Sequence, residues 1–356
     1  MRYIGLMALA LIGSGIRADI AWHDASALTV EGRGWTDTEA RYDRLPARAR
    51  GQVPPSVWGL SKDSAGMAIR FQTDASEVEV RWSLTSDNLA MPHMAATGVS
   101  GVDLYELIGK RWVFVGNGRP RVKDGNTARF ALGGKGAHDL RLYLPLYNGV
   151  TKVEIGVPEG SMLRPGPVAE PRSRIVYYGT SIAQGGCASR PGTAHVAILG
   201  RLLNREMVNL GFSGSGRMEP EVAALIAELP AAMFVIDCLW NMDEGSIVTR
   251  VVELAAAIRK LHPDVPIVFV GQSHIVTGQH PTRFTRLQEQ AVAELRRKGF
   301  TGLHLVPGAR LLGDDGEGTV DGVHPTDLGM MRQAEALAPA LARILRSRPR
   351  EAPRRP

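Results

Sequence analysis

The second half of the chain alternates short apolar runs with longer amphipathic stretches. The apolar runs predict five buried strands: Ile175–Tyr178, Met207–Phe212, Met233–Leu239, Pro266–Gly271 and Leu303–Val306. Apolar residues at helical spacing predict five helices: Val196–Leu203, Glu219–Leu229, Ser246–Leu261, Phe284–Lys298 and Asp327–Leu345. This alternation is typical of an α/β domain whose parallel sheet is covered by helices on both faces.

The first half of the chain shows almost no helical periodicity between Ala21 and Gly156. Short runs, some alternating apolar and polar side chains, predict strands: Ala68–Gln72, Val78–Leu84, Leu104–Leu107, Trp112–Val115, Leu140–Leu144 and Val153–Ile155. Turn signals at Gly109-Lys110 and Asn148-Gly149 separate two pairs of these runs. We therefore predict an antiparallel β-sandwich that resembles a jelly roll.

A segment rich in proline divides the two halves. Val157–Pro171 contains four prolines and two glycines, which suit neither a helix nor the interior of a sheet. The chain has 356 residues, 44% of them hydrophobic, which is enough for two domains with their own cores. We predict a sandwich domain at 19–160, a linker at 161–172 and an α/β domain at 173–346.

The two ends of the chain have the composition of segments outside the folded domains. The first 18 residues resemble a signal peptide, with Arg2 before the apolar run Tyr3–Ile16 and with Ala18 before the cut. A buried first strand or helix is the alternative. The basic, proline-rich residues 347–356 predict a disordered tail. We expect a periplasmic or secreted protein without a transmembrane segment once the signal peptide is removed.

The net charge of +6 does not describe the folded body. Five arginines and Glu351 in the segment 346–356 account for four of these charges, and Arg2 and Arg17 account for the other two. We find no basic stretch interleaved with aromatic residues, so the sequence does not predict a nucleic-acid partner. No spacing of cysteine and histidine predicts a zinc site, and nothing in the sequence predicts a cofactor.

Ser181 stands where a buried strand turns into a helix. Gly179 permits a sharp turn directly after the predicted strand, and a serine at the tip of such a turn exposes its hydroxyl. Backbone N–H groups at the start of the following helix can face a developing oxyanion. A plain turn is the alternative interpretation of this segment taken alone.

The segment Asp321-Gly-Val-His324-Pro325 lies far along the chain, with His324 143 residues after Ser181. A carboxylate three residues ahead of an imidazole can hold its Nδ1–H, and Nε2 is then free to accept a proton from a serine hydroxyl. Such a segment also occurs as a helix cap. Together with Ser181, however, it predicts a Ser-His-Asp catalytic triad.

Two intermediate segments supply oxyanion donors. Gly214 lies in the stretch Asn209–Gly216 after the second predicted strand, and Asn241 follows the third. The carboxyl ends of parallel strands meet at one edge of a sheet, where ligands bind. We therefore predict that the backbone N–H groups of Ser181 and Gly214 and the side-chain amide of Asn241 form an oxyanion hole.

These four segments together resemble the SGNH (GDSL-like) hydrolase superfamily. The resemblance implies a three-layer α/β/α sheet over about Arg174 to Arg346, with Ser181, Gly214, Asn241 and His324 as the four name residues and Asp321 completing the triad. The first block departs from Gly-Asp-Ser-Leu, reading Gly179-Thr-Ser-Ile182, and the third reads Leu239-Trp-Asn-Met242. The stretches Gly98–Tyr105 and Gly185–Gly192 resemble the subfamily that carries an N-terminal GxDLY domain.

Several other residues have two open interpretations. Four of them are candidate substrate contacts whose alternatives are ordinary structural roles: His93 on a sandwich loop, Arg190 after the nucleophile helix, Trp240 beside Asn241 and His274 after the fourth strand. Asp103 and Tyr105 of the GxDLY motif are expected to secure sandwich packing. Cys187 and Cys238 follow predicted strands of the catalytic block, and they form either a disulfide or two buried thiols.

The predicted function is that of a serine esterase acting on small acyl esters, acetyl in particular, carried by carbohydrate. The attached sandwich supports a glycan substrate only by analogy of architecture. A lipid esterase or lysophospholipase, and an acyltransferase with the same triad, are the alternative enzymes. A non-catalytic glycan-binding protein is the alternative from another class.

Overall fold

A computed structural model describes residues 19–134, 136–273 and 280–347. The predicted signal peptide, His274 and the tail beyond Ser347 lie outside the described residues. Among the helices that are described, none is both long and apolar enough to cross a membrane.

The first half of the chain is built from strands. They are β1 (Ile20–Asp24), β2 (Thr29–Glu31), β3 (Ala68–Thr73), β4 (Glu77–Leu84), β5 (Val102–Ile108), β6 (Arg111–Gly118), β7 (Asn126–Ala131), β8 (His138–Tyr143), β9 (Val150–Pro158) and β10 (Leu163–Pro165). Two short helices, α1 (Pro55–Leu60) and α2 (Ala96–Val99), and two 3₁₀ turns, Ala25–Ala27 and Ala47–Ala49, interrupt them.

These strands form two antiparallel sheets packed face to face. One sheet has the order β1-β9-β4-β7, and the other has β10-β3-β8-β5-β6 with β2 added to β3. Along β4, buried residues alternate with more exposed ones, as expected for a strand with one face on a core. Phe71, Trp82 and Leu104 are buried between the sheets. The predicted β-sandwich is therefore confirmed.

In the described residues of the second half we find five strands and six helices. The strands are β11 (Ile175–Gly179), β12 (Met207–Gly211), β13 (Met233–Asp237), β14 (Ile267–Val270) and β15 (Leu303–Val306). The helices are α3 (Ser181–Gln184), α4 (His195–Leu203), α5 (Pro220–Ala227), α6 (Ile247–Leu261), α7 (Arg283–Arg297) and α8 (Asp327–Arg346). Three 3₁₀ turns, Pro171–Ser173, Pro191–Thr193 and Leu239–Asn241, complete this half.

The five strands form one parallel sheet in the order β12-β11-β13-β14-β15. Helices α5, α6 and α7 bury their apolar faces against one side of this sheet, and α4 and α8 bury theirs against the other. This arrangement confirms the predicted three-layer α/β/α domain. The strand order reverses at β11, and ligands of open α/β sheets bind at such a reversal.

The segment before β3 packs on the α/β core rather than on the sandwich. Trp35, Leu45 and Val57 belong to the same hydrophobic cluster as α5 and α6. Between them, Arg44 is fully enclosed and donates hydrogen bonds to the carbonyl oxygens of Gly211 (2.6 Å) and Leu60 (2.7 Å). Burial lowers the pKa of Arg44 to about 10, and these carbonyls satisfy its donors. This contact fixes the two halves at the end of β12.

Two connections differ from the sequence-based expectation. The start of the predicted linker forms β10, which pairs with β3 at the edge of its sheet, where a proline at the strand end costs no ladder hydrogen bond. The Asn148-Gly149 turn joins β8 and β9, which belong to different sheets. The buried Asn148 amide bonds to Ser86 and Ser100 and so fixes this crossing. Of the two predicted turns, the one at Gly109 closes a hairpin, between β5 and β6.

Candidate active site

Ser181 begins α3, directly after the end of β11. Thr180 caps this short helix by accepting a hydrogen bond from the backbone N–H of Ile182 (3.3 Å), and Gly185 ends it with φ of +112°. A Cβ atom at Gly179 would lie 2.7 Å from the Ala183 side chain and 2.8 Å from the Asp237 carbonyl oxygen. Only glycine fits this turn, which holds the Ser181 hydroxyl at the carboxyl edge of the sheet.

Ser181, His324 and Asp321 are linked by two hydrogen bonds. The Ser181 Oγ lies 2.8 Å from Nε2 of His324, and Nδ1 of the same ring lies 2.7 Å from Oδ2 of Asp321. The other carboxylate oxygen of Asp321 accepts the backbone N–H groups of His324 (2.8 Å) and Val323 (3.0 Å). The structure thus brings together the three residues that the sequence predicts as a triad.

Asp321 is ionised over the whole neutral range. Partial burial raises the pKa of its carboxyl, but hydrogen bonds from the backbone and ring of His324 and from the backbone of Val323 outweigh this effect and lower it to about 2. A carboxylate at this position holds the proton of His324 on Nδ1. Nε2 is then the acceptor that faces the serine hydroxyl, as general-base chemistry requires.

Gly214 and Gly216 shape the loop that follows β12. Gly214 has φ of +64°, but a Cβ atom there would meet nothing within 4 Å, so only its backbone conformation favours glycine. A Cβ atom at Gly216 would lie 2.0 Å from the carbonyl oxygen of Gly179. The loop is therefore pressed against the nucleophile turn by a contact that tolerates no side chain.

Asn241 ends the 3₁₀ turn after β13 and is tied to the same loop. Its side-chain Nδ2 donates a hydrogen bond to the backbone carbonyl of Ser215. An amide nitrogen carries two hydrogens, so this bond orients the group and leaves the second hydrogen for another acceptor. Asn241 and Gly214, the two predicted oxyanion donors, are therefore held by one shared segment beside Ser181.

Loops of the sandwich border the triad. The Tyr147 hydroxyl donates to the backbone carbonyl of Ser181 (3.2 Å). The ring of His93, at the tip of a turn closed by Met91 and Met94, has its centroid 6.3 Å from that of His324. The sequence pointed to His93 but missed Tyr147, whose only signal is its place before the Asn148-Gly149 turn.

Arg190 is used in the contact between the two halves. Its guanidinium donates to Oδ2 of Asp103 (2.8 Å) and to the Tyr105 hydroxyl (2.7 Å), and it lies over the ring of Phe114. Asp103 also accepts the backbone N–H of Gly192 (2.8 Å). The structure therefore gives Arg190 the salt-bridge role that the sequence left open. The GxDLY residues bind the loop behind the nucleophile rather than only the sandwich.

Trp240 is the remaining candidate substrate contact among the described residues, and the two cysteines are the remaining pair with two open interpretations. Trp240 is half-buried and donates its indole N–H to Ser273 (2.9 Å). Of the two alternatives left open for Cys187 and Cys238, the structure shows two buried free thiols and no disulfide between them. Cys238 packs in the cluster under α5 and α6, whereas Cys187 lies close enough to Asp321 for that carboxylate, after burial, to raise its pKa to about 11.

A buried polar network that the sequence did not reveal lies beneath the site. Tyr177 donates its hydroxyl to Asp237 (2.9 Å), which also accepts from the amide of Gln333 (3.2 Å). His195 meets the same tyrosine hydroxyl at 3.1 Å. Burial raises the pKa of Asp237 to about 6 and lowers that of His195 to about 3. Asp237 pairs with Gly179 in the sheet, so this network supports the nucleophile turn.

Comparisons with known proteins agree with this architecture. The model of the GDSL-like Lipase/Acylhydrolase family matches residues 172–342, and the GxDLY model, described as the N-terminus of the SGNH-hydrolase type of esterase, matches residues 20–163. A search of curated protein sequences found no match.

Solved structures of similar fold extend over nearly the whole chain. A protein described as a GDSL-like lipase from Bacteroides ovatus is 35% identical, with a TM-score of 0.83, and the alignment covers 92% of this chain and 98% of that one. The salicylyl-acyltransferase SsfX3 from a tetracycline biosynthetic pathway is 19% identical, with a TM-score of 0.73 and coverage of 91% and 97%. A family two carbohydrate esterase from Cellvibrio japonicus is 12% identical, with a TM-score of 0.60 and coverage of 92% and 99%.

The last two likenesses concern the fold alone, whereas the first extends to sequence. The two family models together account for both halves of the chain. The protein therefore belongs to the GDSL-like lipase/acylhydrolase family, in the SGNH subfamily with an N-terminal GxDLY domain, and is a carboxylic-ester hydrolase.

Proposed function

We propose that this hydrolase is a serine esterase that removes small acyl groups, acetyl in particular, from carbohydrate. The observation that carries the proposal is the hydrogen-bonded series from Ser181 Oγ through His324 to Asp321. The Ser181 hydroxyl has an adjacent base in His324, and the carboxylate of Asp321 fixes the tautomer of that base.

The first half of the reaction transfers the acyl group to the enzyme. His324 takes the hydroxyl proton through Nε2 as Ser181 Oγ attacks the ester carbonyl carbon. The tetrahedral intermediate then collapses, the bond to the sugar oxygen breaks, and the imidazolium returns its proton to the departing alcohol. Asp321 stabilises the imidazolium while it carries that proton, and the acyl group remains on Ser181.

The second half releases the acid. A water molecule loses a proton to His324 Nε2 and attacks the acyl carbon, and the Ser181 oxygen leaves after taking the proton back. In both halves, the negative oxygen of the intermediate is stabilised by the backbone N–H groups of Ser181 and Gly214 and by the Asn241 amide. The bond from Asn241 to Ser215 supports this role, because a fixed donor needs no reorganisation during the reaction.

The carbohydrate part of the proposal has separate support. The fold is shared with a family two carbohydrate esterase, although at 12% identity. The walls of the site also come from loops of both domains, including the one that carries His93. Such walls suit a substrate larger than the acyl group itself.

The test is a panel of p-nitrophenyl esters of increasing chain length together with acetylated sugars. We expect cleavage that favours two-carbon acyl groups and is abolished in Ser181→Ala. Release by Ser181→Ala at the wild-type rate would overturn the proposed nucleophile. A preference for eight or more carbons would instead favour a lipid esterase. Transfer of acetyl to an added sugar in preference to water would favour an acyltransferase.

A further inference from the structure

A polar cavity of about 340 Å³ lies beside the loop of Gly214, on the side of the sheet covered by α5 and α6. We call it the two-arginine pocket. Its lining includes Ser56, Gly214, Ser215, Arg217, Asp243 and Arg250, and also Glu219, whose carboxylate accepts hydrogen bonds from the backbone N–H of Arg217 (2.8 Å) and from the Tyr178 hydroxyl. Its volume falls in the range of roughly 300–1,000 Å³ that is usual for small-molecule sites. None of its side chains takes part in the reaction described above.

The pocket adjoins the proposed oxyanion hole through the loop that they share. Gly214 and Ser215 form part of its wall, and the carbonyl of Ser215 holds the Asn241 amide. The same loop touches the nucleophile turn at Gly216. A molecule bound in the pocket would therefore lie on the other side of this loop from the ester that Ser181 attacks.

Both domains contribute hydroxyl groups to the pocket. Ser56 of α1 and Ser215 share a hydrogen bond of 2.9 Å across the domain contact. Each hydroxyl has one proton and two lone pairs, so the pair keeps acceptor sites after this bond forms. Asp243 accepts from the backbone N–H (3.0 Å) and the hydroxyl (2.7 Å) of Ser246, and the latter bond is the main cause of its lowered pKa. The carboxylate of Asp243 also has unused lone pairs, which can accept hydrogen bonds from hydroxyl groups.

The two guanidinium groups are only partly satisfied. Arg250 Nη1 is buried and has no hydrogen-bond acceptor among the described residues, and its ion pair with Glu253 spans 3.9 Å. Arg217 donates to the carbonyl of Gly214 (2.9 Å), and within the described part of the chain we find no ion pair to it. A buried donor without an acceptor is costly, and a guanidinium binds a carboxylate in a bidentate manner. The partly exposed side chain of Arg250 and the exposed side chain of Arg217 can therefore donate to an anionic ligand in the pocket, where they balance the carboxylates of Asp243 and Glu219.

We infer that the two-arginine pocket binds a carboxylate-bearing sugar unit of the substrate. Arg217 and Arg250 bind the carboxylate of that unit, while the hydroxyls of Ser56 and Ser215 and the carboxylate of Asp243 bind its hydroxyl groups. The inference rests on the proposed function, because it assigns the substrate of that same active site to acidic glycans. The inference adds the requirement that the substrate carries a negative charge, which the triad itself does not impose.

Binding to the Ser181→Ala protein tests the inference without any catalysis. The probes are an acetylated trimer of galacturonic acid and an acetylated xylotriose, and titration calorimetry measures both affinities. We expect the acidic trimer to bind at least about tenfold more tightly, the effect of one or two charged hydrogen bonds. Equal affinities, or tighter binding of the neutral trimer, would overturn the inference while leaving the esterase proposal intact.

Substitutions within the Ser181→Ala protein locate the effect. Arg250→Gln and Arg217→Gln should each reduce the affinity ratio of acidic to neutral trimer by roughly tenfold, and Arg250→Lys should retain part of it. The matched control is Arg297→Gln, which removes an exposed arginine of α7 and should leave the ratio unchanged. If Arg250→Gln does not fold, Arg217→Gln decides the question, because Arg217 lies on an exposed loop. An unchanged ratio in the folded pocket variants would contradict the inference.

Discussion

The ring of His93, on a loop of the sandwich, lies 6.3 Å from the ring of His324, centroid to centroid. The two planes are tilted by 36°, and His93 is exposed to solvent. A side chain of the N-terminal domain therefore stands at the entrance to the triad. Gly186 lines the same entrance, since a Cβ atom there would lie 3.2 Å from the His324 ring.

From the position of His93 we expect it to contact the sugar part of the proposed substrate. His93→Ala should raise KM for acetylated sugars by roughly twofold to tenfold, as expected for the loss of one hydrogen bond to substrate, with a smaller change in kcat. Because the side chain is exposed, the melting temperature should stay within 1–2 °C or so of wild type. Steady-state kinetics and thermal melts check both points. A loss confined to kcat would assign His93 to the chemical step instead.

The substitution Asp321→Asn should cause a large loss of kcat with little change in the shape of the side chain. Asp321→Asn keeps the size of the side chain but no longer stabilises the imidazolium, and the amide can favour the wrong tautomer of His324. We expect kcat to fall by about 10⁴-fold. Stopped assays with p-nitrophenyl acetate measure this loss, and His324→Ala provides the comparison. If Asp321→Asn retained a tenth of the activity, the carboxylate would not be the third member of the triad.

The glycines of the loop after β12 form a matched pair. Gly214→Ala and Gly216→Ala both place an alanine at positive φ, which costs about 1–2 kcal/mol. Only the second variant also drives a methyl group into the Gly179 carbonyl, at 2.0 Å. We expect Gly216→Ala to lose more stability and more turnover than Gly214→Ala, whose backbone N–H is retained. Denaturant melts and kcat values compare the two, and equal losses would show that the contact is not tight.

The α/β half could be predicted from the sequence because its signals are local. Fully buried parallel strands appear as continuous apolar runs, and amphipathic helices separate them. Strand β13 ends at Asp237, two residues before its predicted end. The residues Leu239–Asn241 form instead the 3₁₀ turn that carries the side-chain amide of Asn241. The triad residues were found because each lies at the end of a strand or just before a helix.

The features that the sequence could not reveal depend on distant contacts. Nothing near Arg44 in the sequence indicates that it reaches the carbonyl of Gly211, and nothing near Asp103 indicates that its partner is Arg190. Tyr147, which meets Ser181, likewise lies on the connection by which the chain crosses from β8 to β9 in the other sheet. Pattern and spacing identify elements, whereas such pairs follow from how the domains dock.

The ion pair between Asp103 and Arg190 gives a prediction about domain docking. Asp103 is fully buried and also accepts a backbone N–H from Gly192. Asp103→Ala should destabilise the protein by roughly 3–5 kcal/mol, because it leaves the Arg190 guanidinium without its carboxylate. The exposed pair of Arg332 and Asp315 provides the control, and Asp315→Ala should destabilise the protein far less, because solvent screens an exposed ion pair. Denaturant unfolding measures both, and similar losses would contradict the prediction.

Asp237 predicts how stability changes with pH. Burial raises the pKa of its carboxyl from 3.8 to about 6 in the folded protein, so the folded state favours the protonated form. Its contribution is fully present below pH 3.8 and is lost as the pH rises through about 6. The difference between a pKa of 3.8 in the unfolded chain and about 6 in the folded protein corresponds to roughly 3 kcal/mol. Tyr177 and Gln333 face the carboxyl, and His195, with its pKa lowered to about 3 by burial, stays neutral in this range.

Asp237→Asn isolates this effect, because the amide cannot ionise. Measured as the free energy of unfolding from pH 4 to pH 7, the variant should gain stability relative to wild type as the pH rises. Asp315→Asn is the control: its carboxyl has a pKa lowered to about 2 by the hydrogen bond from Arg332, so it is ionised in both the folded and the unfolded state well above pH 3.8, and its difference from wild type should stay flat from about pH 5 to pH 7. A flat difference for Asp237→Asn as well would mean that the buried carboxyl titrates as it does in the unfolded chain. The hydrogen-bond network of Tyr177, Asp237 and Gln333 would then not depend on the protonation of Asp237.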